Sequence, residues 1–242
     1  PDDTESVVGR QLDYWSEKLK GLPDVIELPA DRSRPAKATG HGGTRNFIVP
    51  ETVAARVRAV AEDHGVTPFM VLHAALAVLL SRLAATGDVA ISTPVAGRGA
   101  SQLDPLVGMF VNTLVLRTEV MPGTSFADFL EQVRTTDVDA FANADVPFEV
   151  VVDAVRPVRS EAFAPLAQVM LSFDSSASDG FATMRGAGLS IEPIVPDDIP
   201  AQRDLTVFVS SRDSGAWQGS MIYASDLFDA PTVDGLAARL IT

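Results

Sequence analysis

VGMFVNTLVLR, residues 107–117, has the composition of a buried β-strand. Val111, Thr113, Val115 and Thr118 are β-branched, and apolar residues follow one another almost without a break. Asn112 and Thr113 interrupt the run at its centre with an amide and a hydroxyl. Either they satisfy a local hydrogen bond or they line something, and the residues alone leave both readings open.

Working outward from that strand, the pattern alternates between helix and strand. Residues 5–20 space Val8, Leu12, Trp15 and Leu19 for one helical face. A Pro-, Gly- and charge-rich stretch over 21–46 reads as a linker or an extended crossing of the surface, overlapping a strand at 44–49. After Pro50 comes a helix with Val53, Val57 and Val60 on one side and Gly65 as its stop. Thr67-Pro68 caps a second helix running to about Ala85, apolar on nearly every face and therefore deep in the core.

A strand at 88–97 and the loop 98–106 lead into 107–117. The next helix puts Phe126, Phe129, Leu130, Val133 and Phe141 on its inner face, and a short helix follows Val146. The last third changes to strand periodicity at 166–174, 189–195, 204–212 and 217–225, with Asp213-Ser214-Gly215 as a hairpin turn and a terminal helix opening at Ala230-Pro231. The expected fold class is α/β, a mixed β-sheet covered by helices.

Composition narrows the function. The 242 residues carry no cysteine, which excludes thiolate catalysis, disulfides and cysteine-ligated metals. A formal charge of −13, from 32 acidic and 19 basic residues, argues against nucleic acid as a partner. No apolar run reaches the about 20 residues that cross a bilayer, so no membrane partner is expected, and the cytoplasm is the expected compartment. A chain opening at Pro1 and stopping in the helical pattern LAARLIT reads as cut from something longer.

The residues offer no catalytic or metal centre. His41 sits in a glycine-rich loop, His64 at a helix C-terminus, and His73 inside the most apolar helix, where a hydrogen-bonded core histidine is expected. The glycine clusters at 40–43 and 97–99 lack the lysine and the strand-to-helix setting of a phosphate loop. DSSASDG at 174–180 lacks the calcium-loop register, and Asp197-Asp198 reads as a solvated turn.

Residues 107–117 resemble the Ile/Val-Gly-x-Phe-Val-Asn-Thr-x-x-x-Arg motif of condensation domains from nonribosomal peptide synthetases, at Gly108, Phe110, Val111, Asn112, Thr113 and Arg117. NADVPFE (143–149) is similar to the family's Asn/His-Gln-Asp-x-Pro-Phe-Glu, with Ala144 in place of Gln. YWSEKLKGLPDVIELPADRSRP (14–35), TPFMVLHAALAVLLSRL (67–83), DVAISTPVAGR (88–98) and YASDLFD (223–229) fit as well. One motif departs: RSEAFAPL keeps Arg159, Pro165 and Leu166 but has Ala162 to Ala164 where Ser-Arg-Asn is expected.

The resemblance implies a chloramphenicol-acetyltransferase-like lobe: residues 1–43 as inter-lobe connector helix and linker, and 44–242 as the C-terminal lobe of a condensation domain. It implies amide formation between a donor acyl or peptidyl thioester and an acceptor aminoacyl thioester. No cofactor is bound directly; the substrates ride on the phosphopantetheine of carrier proteins. The implied partners are donor and acceptor peptidyl carrier proteins, an N-terminal lobe and an adenylation domain. That N-terminal lobe carries the family's His-His-x-x-x-Asp-Gly, and this chain has no His-His pair, so the chain alone is expected to be inactive. Gly108, Met109, Asn112 and Thr113 become substrate-channel candidates, with holding the wall in register as the alternative role of Asn112 and Thr113. Phe110, Arg117, Pro147, Phe148, Glu149 and Arg159 become motif residues of structural role. A non-catalytic carrier-docking or partner-recruitment domain, or an epimerising or cyclising relative, is the other reading.

Overall fold

The computed structural model describes residues 6–97, 102, 105–175, 199–211 and 215–242. In chain order the elements are α1 (Val7–Lys18), β1 (His41–Val49), α2 (Glu51–Asp63), α3 (Pro68–Ala84), β2 (Asp88–Val95), β3 (Asn112–Glu119), α4 (Phe126–Ala142), α5 (Phe148–Val155), β4 (Val169–Asp174), β5 (Ile199–Pro200), β6 (Leu205–Ser211), β7 (Trp217–Ala224) and α6 (Ala230–Leu240). The strands form a seven-stranded sheet in the order β3-β2-β4-β6-β7-β1-β5. β2, β4 and β6 run parallel at its centre, with β3 antiparallel on one flank and β7, β1 and β5 antiparallel on the other.

Burial follows from that topology. β2 has a strand on each side, β3 and β4, and core packed on both of its faces, so it is buried without a break from Val89 to Thr93. Alternation then splits its side chains between two cores. Val89 and Ile91 join the larger one with residues of α3, α4 and α6, whereas Ala90 joins a smaller one with Trp15 of α1, its C-cap Leu19 and Val151 of α5. α3 lies deep, as its composition demands: Thr67 Oγ1 accepts from Met70 N at 3.2 Å, Pro68 opens the first turn, and seven of its residues are buried.

The stretch 19–40 is an ordered strap. Gln168 receives the backbone N–H of Ile26 at 3.0 Å and donates to the carbonyls of Asp24 at 2.9 Å and Ala164 at 2.8 Å. Farther along, Arg34 makes a two-pronged ion pair with the buried Asp204, and Thr39 donates twice to Asp226. Two of the conspicuous sequence stretches, PADRSRP and YASDLFD, meet where Asp31 N donates to Leu227 O at 2.8 Å. Asp229, the N-cap of α6, makes no side-chain capping bond. Asp31 supplies the carboxylate instead, accepting from Asp229 N at 2.7 Å and Thr232 Oγ1 at 2.8 Å, while Arg32 pairs with Asp229.

Several expectations shift. β1 starts at His41, ahead of the expected Thr44, and the two-residue β5 was not anticipated. Residues 107–111 are outside any strand, and β3 begins at Asn112, so the two polar residues open the strand and do not interrupt it. Phe126 and Phe141 are about half exposed, because only Phe129, Leu130 and Val133 of that expected face point into the core. The strand expected at 189–195, Asp197-Asp198, most of the loop 98–106 and the 174–180 run beyond Ser175 lie outside the described residues. β6 and β7 do pair antiparallel as a hairpin, although Asp213 and Ser214 also lie outside them.

The Asp31 clasp makes a pH-dependent contribution. The Asp229 N–H, then the Thr232 hydroxyl, hold the Asp31 carboxyl below its ordinary range. A depressed folded value stabilises above the unfolded value of about 4 and loses that stabilisation as pH falls through the folded value. Asp31→Ala is expected to lower the thermal midpoint at pH 7, with the gap to wild type closing as the pH falls below about 4; midpoints measured across that range check it.

Candidate functional site

β3 could not have extended back through 107–111. Its partner β2 ends at Val95, which pairs with Asn112, and the chain then turns at Gly97 with φ +60°. Gly97 passes so close to the Phe110 carbonyl that a Cβ there would lie 1.8 Å from the oxygen, a fit open only to glycine. With no strand alongside among the described residues, Val107 and Met109 stand 103% and 89% exposed, and Val111 is exposed too. Gly108 is exposed beside the Phe110 ring, itself half-buried.

Asn112 uses its whole amide on the backbone. Nδ2 donates to the carbonyls of Ala144 at 2.9 Å and Val146 at 2.8 Å. Oδ1 accepts from Thr113 N at 2.8 Å and Phe148 N at 3.0 Å. Two donors and two lone pairs are the full capacity of a carboxamide, so none remains for a ligand. The two motif stretches, 107–117 and 143–149, are thus joined by one side chain. α1 holds the second from the other side: Trp15 Nε1 donates to Asn143 O at 2.8 Å, and Gln11 exchanges hydrogen bonds with Asp145. This explains how Ala144 can stand at the Gln position of the motif, since its backbone carbonyl is what Asn112 holds.

The remaining motif residues are dispersed. Thr113 is half-buried, with a backbone N–H bonded to Asn112. Arg117 grips Asp88 with two bonds of 2.8 and 2.7 Å and donates to the carbonyls of Lys18 and Lys20, tying α1 to the sheet. Pro147 is the N-cap of α5; Phe148 packs in the smaller core, and Glu149 is exposed in the first turn. Arg159 pairs with Asp153 on the open surface. The departing Ala162–Ala164 segment is anchored through its backbone, Ala162 O by Arg34 and Ala164 O by Gln168. His64 is the C-cap of α2, and His73 bonds Asp137 inside the core at 2.8 Å. Among the described residues no group of three or more His, Asp or Glu could hold a metal.

What the residue reading missed is a cavity of about 1010 Å³ at the C-terminal ends of the parallel strands. Phe69, Met70, Val95, Phe141, Phe173 and Trp217 form its apolar wall, and hydroxyls of Thr93, Ser172 and Ser211 lie among them. Arg58 lies over the Trp217 ring, 5.6 Å from its centroid. A sequence signal existed: binding crevices in α/β sheets form beyond the carboxyl ends of parallel strands, here just past β2, β4 and β6. The cavity can receive an apolar group bordered by a few hydroxyls.

Asn112→Ala would strand two carbonyls and two N–H groups where β3 meets α5. A loss of about 2–3 kcal/mol in unfolding free energy is expected from urea denaturation, against a change within about 0.5 kcal/mol for Thr113→Val.

Comparison with known proteins follows the same outline. The condensation domain family model matches residues 4–242. CymA, a probable nonribosomal peptide synthetase of Salinispora arenicola, is 42% identical over 99% of this chain, which spans 3% of that protein. A four-domain nonribosomal peptide synthetase, solved with AMP and glycine, superposes with a TM-score of 0.87 at 27% identity, over 99% of this chain and 19% of that one. The X-domain of teicoplanin biosynthesis, solved in complex with OxyB, superposes at 0.87 with 28% identity, over 99% of this chain and 52% of that one. The chain therefore spans a small part of its curated relatives and about half of that solved domain. With the family model matched from residue 4 to the C-terminal residue and the fold shared over the same span, this chain belongs to the condensation-domain family of nonribosomal peptide synthetases.

Proposed function

We propose that the chain is the C-terminal lobe of an amide-forming condensation domain, with residues 1–43 as the connector and 44–242 as the lobe. The observation that carries this reading is the cavity beyond β2, β4 and β6: an apolar wall with hydroxyl residues among it, lined also by Val95 and Ala96, after which Gly97 lies against the Phe110 carbonyl, within a chain that matches the family from residue 4 to 242. In the reaction, the amine of the acceptor aminoacyl thioester attacks the donor thioester carbonyl. The C–N bond forms, the C–S bond breaks, and the donor carrier's pantetheine thiol leaves with a proton.

This lobe contributes positioning. The cavity takes a tethered acyl or aminoacyl group, and the surface receives the donor and acceptor carrier proteins in the cytoplasm, next to an adenylation domain. Gly108 and Met109, both exposed, contact the substrate channel; Asn112 and Thr113 hold its wall. The family's His-His-x-x-x-Asp-Gly comes from an N-terminal lobe. Two facts support that division: this chain spans about half of a solved single domain, and its three histidines stand at 41, 64 and 73, none adjacent to another.

A second reading has its own support. A structural neighbour at TM-score 0.87 is an X-domain solved with a partner protein, OxyB, and Ala162–Ala164 departs from the motif. In that reading the chain recruits a partner and forms no bond.

Donor and acceptor carriers loaded with aminoacyl groups separate the two. The 242 residues alone are expected to yield no amide. The same residues joined to an N-terminal lobe bearing His-His-x-x-x-Asp-Gly are expected to yield it, and a His→Ala change in that motif to abolish it. Amide from the isolated chain would overturn the division of labour. No amide from the joined domain would leave the recruitment reading.

A further inference from the structure

His73 on α3 and Asp137 on α4 form a hydrogen-bonded pair, Nδ1 to Oδ1 at 2.8 Å, with both side chains 0% exposed. With a carboxylate oxygen accepting, Nδ1 carries the proton. The other atoms of the pair, His73 Nε2 and Asp137 Oδ2, are buried and have no hydrogen-bond partner among the described residues. On α1, burial first, then the charges of Asp139 and Asp137, push the Tyr14 phenol up to about 12.

Such a pair is a poor device for stability. Burying two polar side chains with half their capacity unused costs more than an apolar contact of the same shape, and replacing buried pairs by apolar residues is often neutral or stabilising. Its position suggests what it does instead. One turn before His73 on α3 stands Phe69, whose ring lies 6.2 Å from the imidazole. One turn after Asp137 on α4 stands Phe141. Phe69 and Phe141 meet edge to face, centroids 6.3 Å apart at 88°, and both line the cavity, with Met70 and Val138 beside them.

We propose that His73 and Asp137 are positioning residues that lock the register of α3 against α4 and so set the Phe69–Phe141 wall that selects the apolar group entering the cavity. The inference rests on reading the cavity as a substrate site. An apolar α3–α4 contact can slide by fractions of a turn at little cost, whereas a single hydrogen bond between two buried side chains holds one alignment. The edge-to-face geometry of the two rings depends on that alignment, and the rings sit where a bulky tethered side chain would be admitted or refused.

The test uses the 242-residue chain with two pantetheine amides, phenylacetyl and acetyl, titrated by calorimetry. Wild type is expected to prefer the phenylacetyl probe. His73→Leu with Asp137→Leu is expected to fold with an equal or higher thermal midpoint and to lose at least about fivefold of that preference. Asp137→Asn, which keeps an acceptor for Nδ1–H, is expected to stay within about twofold of wild type. The nuclear Overhauser contact between the Phe69 and Phe141 rings is expected to persist in the Asn variant and to weaken in the Leu pair. If the Leu pair does not fold, Asp137→Ala, which removes the bond without adding volume, takes its place. A folded Leu pair or Ala variant that keeps both the preference and the ring contact overturns the inference and leaves the cavity reading standing. Failure of wild type to bind either probe overturns the cavity reading and the inference with it.

Discussion

The carboxamide of Asn112 is the joint on which the described architecture turns. Of its four hydrogen bonds, all to backbone, three fasten the first residue of β3 to the connection between α4 and α5, and the fourth is accepted from Thr113 N. That connection has no regular ladder of its own, so its carbonyls at 144 and 146 and its N–H at 148 would otherwise face a half-buried setting unpaired. Fixing it places α5 over the smaller core, where α1 and Trp15 complete the cover. α4, which precedes that connection, packs against α3, and Phe69 and Phe141 of that pair line the cavity. Asn112 itself does not line the cavity; its amide is spent on backbone.

The same principle recurs along the strap. Gln168, Arg34, Asp31 and Arg117 each spend their polar atoms on backbone groups or on one opposed charge, and each binds a segment without secondary structure to the sheet or a helix end. Irregular chain can lie against a core only if its backbone is satisfied, and side chains of fixed geometry supply those partners. This is why polar residues stand out in the stretches that resemble family motifs, although no chemistry is assigned to most of them here. In this chain Asn112, Arg117, Asp31 and Trp15, all within those stretches, act as backbone clasps.

Much of the fold was legible because it is local. Thr67-Pro68 announced the deep helix, Val8, Leu12, Trp15 and Leu19 announced α1, and the alternation after 204 announced the β6–β7 hairpin. The reading failed where the answer depended on a distant neighbour. Val107 to Val111 have strand composition, but a strand needs a partner, and the Gly97 approach to Phe110 removes the room for one. Phe126 and Phe141 match the helical period of α4, yet only part of that face meets core. The cavity escaped notice because its wall is gathered from α3, β2, α4, β4 and β7, with no two adjacent segments contributing a recognisable pattern. The expectation that His73 would be a hydrogen-bonded core residue was met, but its partner lies 64 positions away on another helix.

That partner separates His73 from the other buried polar groups. Ser92 Oγ is buried and donates to Val169 O, and Gln168, also buried, makes three bonds to main chain. Each satisfies a backbone group that would otherwise cost free energy, so each is explained by folding alone. Among the described residues His73 and Asp137 satisfy only one another and leave an atom apiece unpaired. A core selected for stability alone gains nothing from that arrangement. A core that must present two aromatic rings at a fixed angle to a cavity does, because a directional bond defines one alignment where dispersion contacts permit several. Among the described residues, the polar groups that clasp irregular backbone build the lobe, and the buried His73–Asp137 pair is the one proposed to set the shape of the cavity.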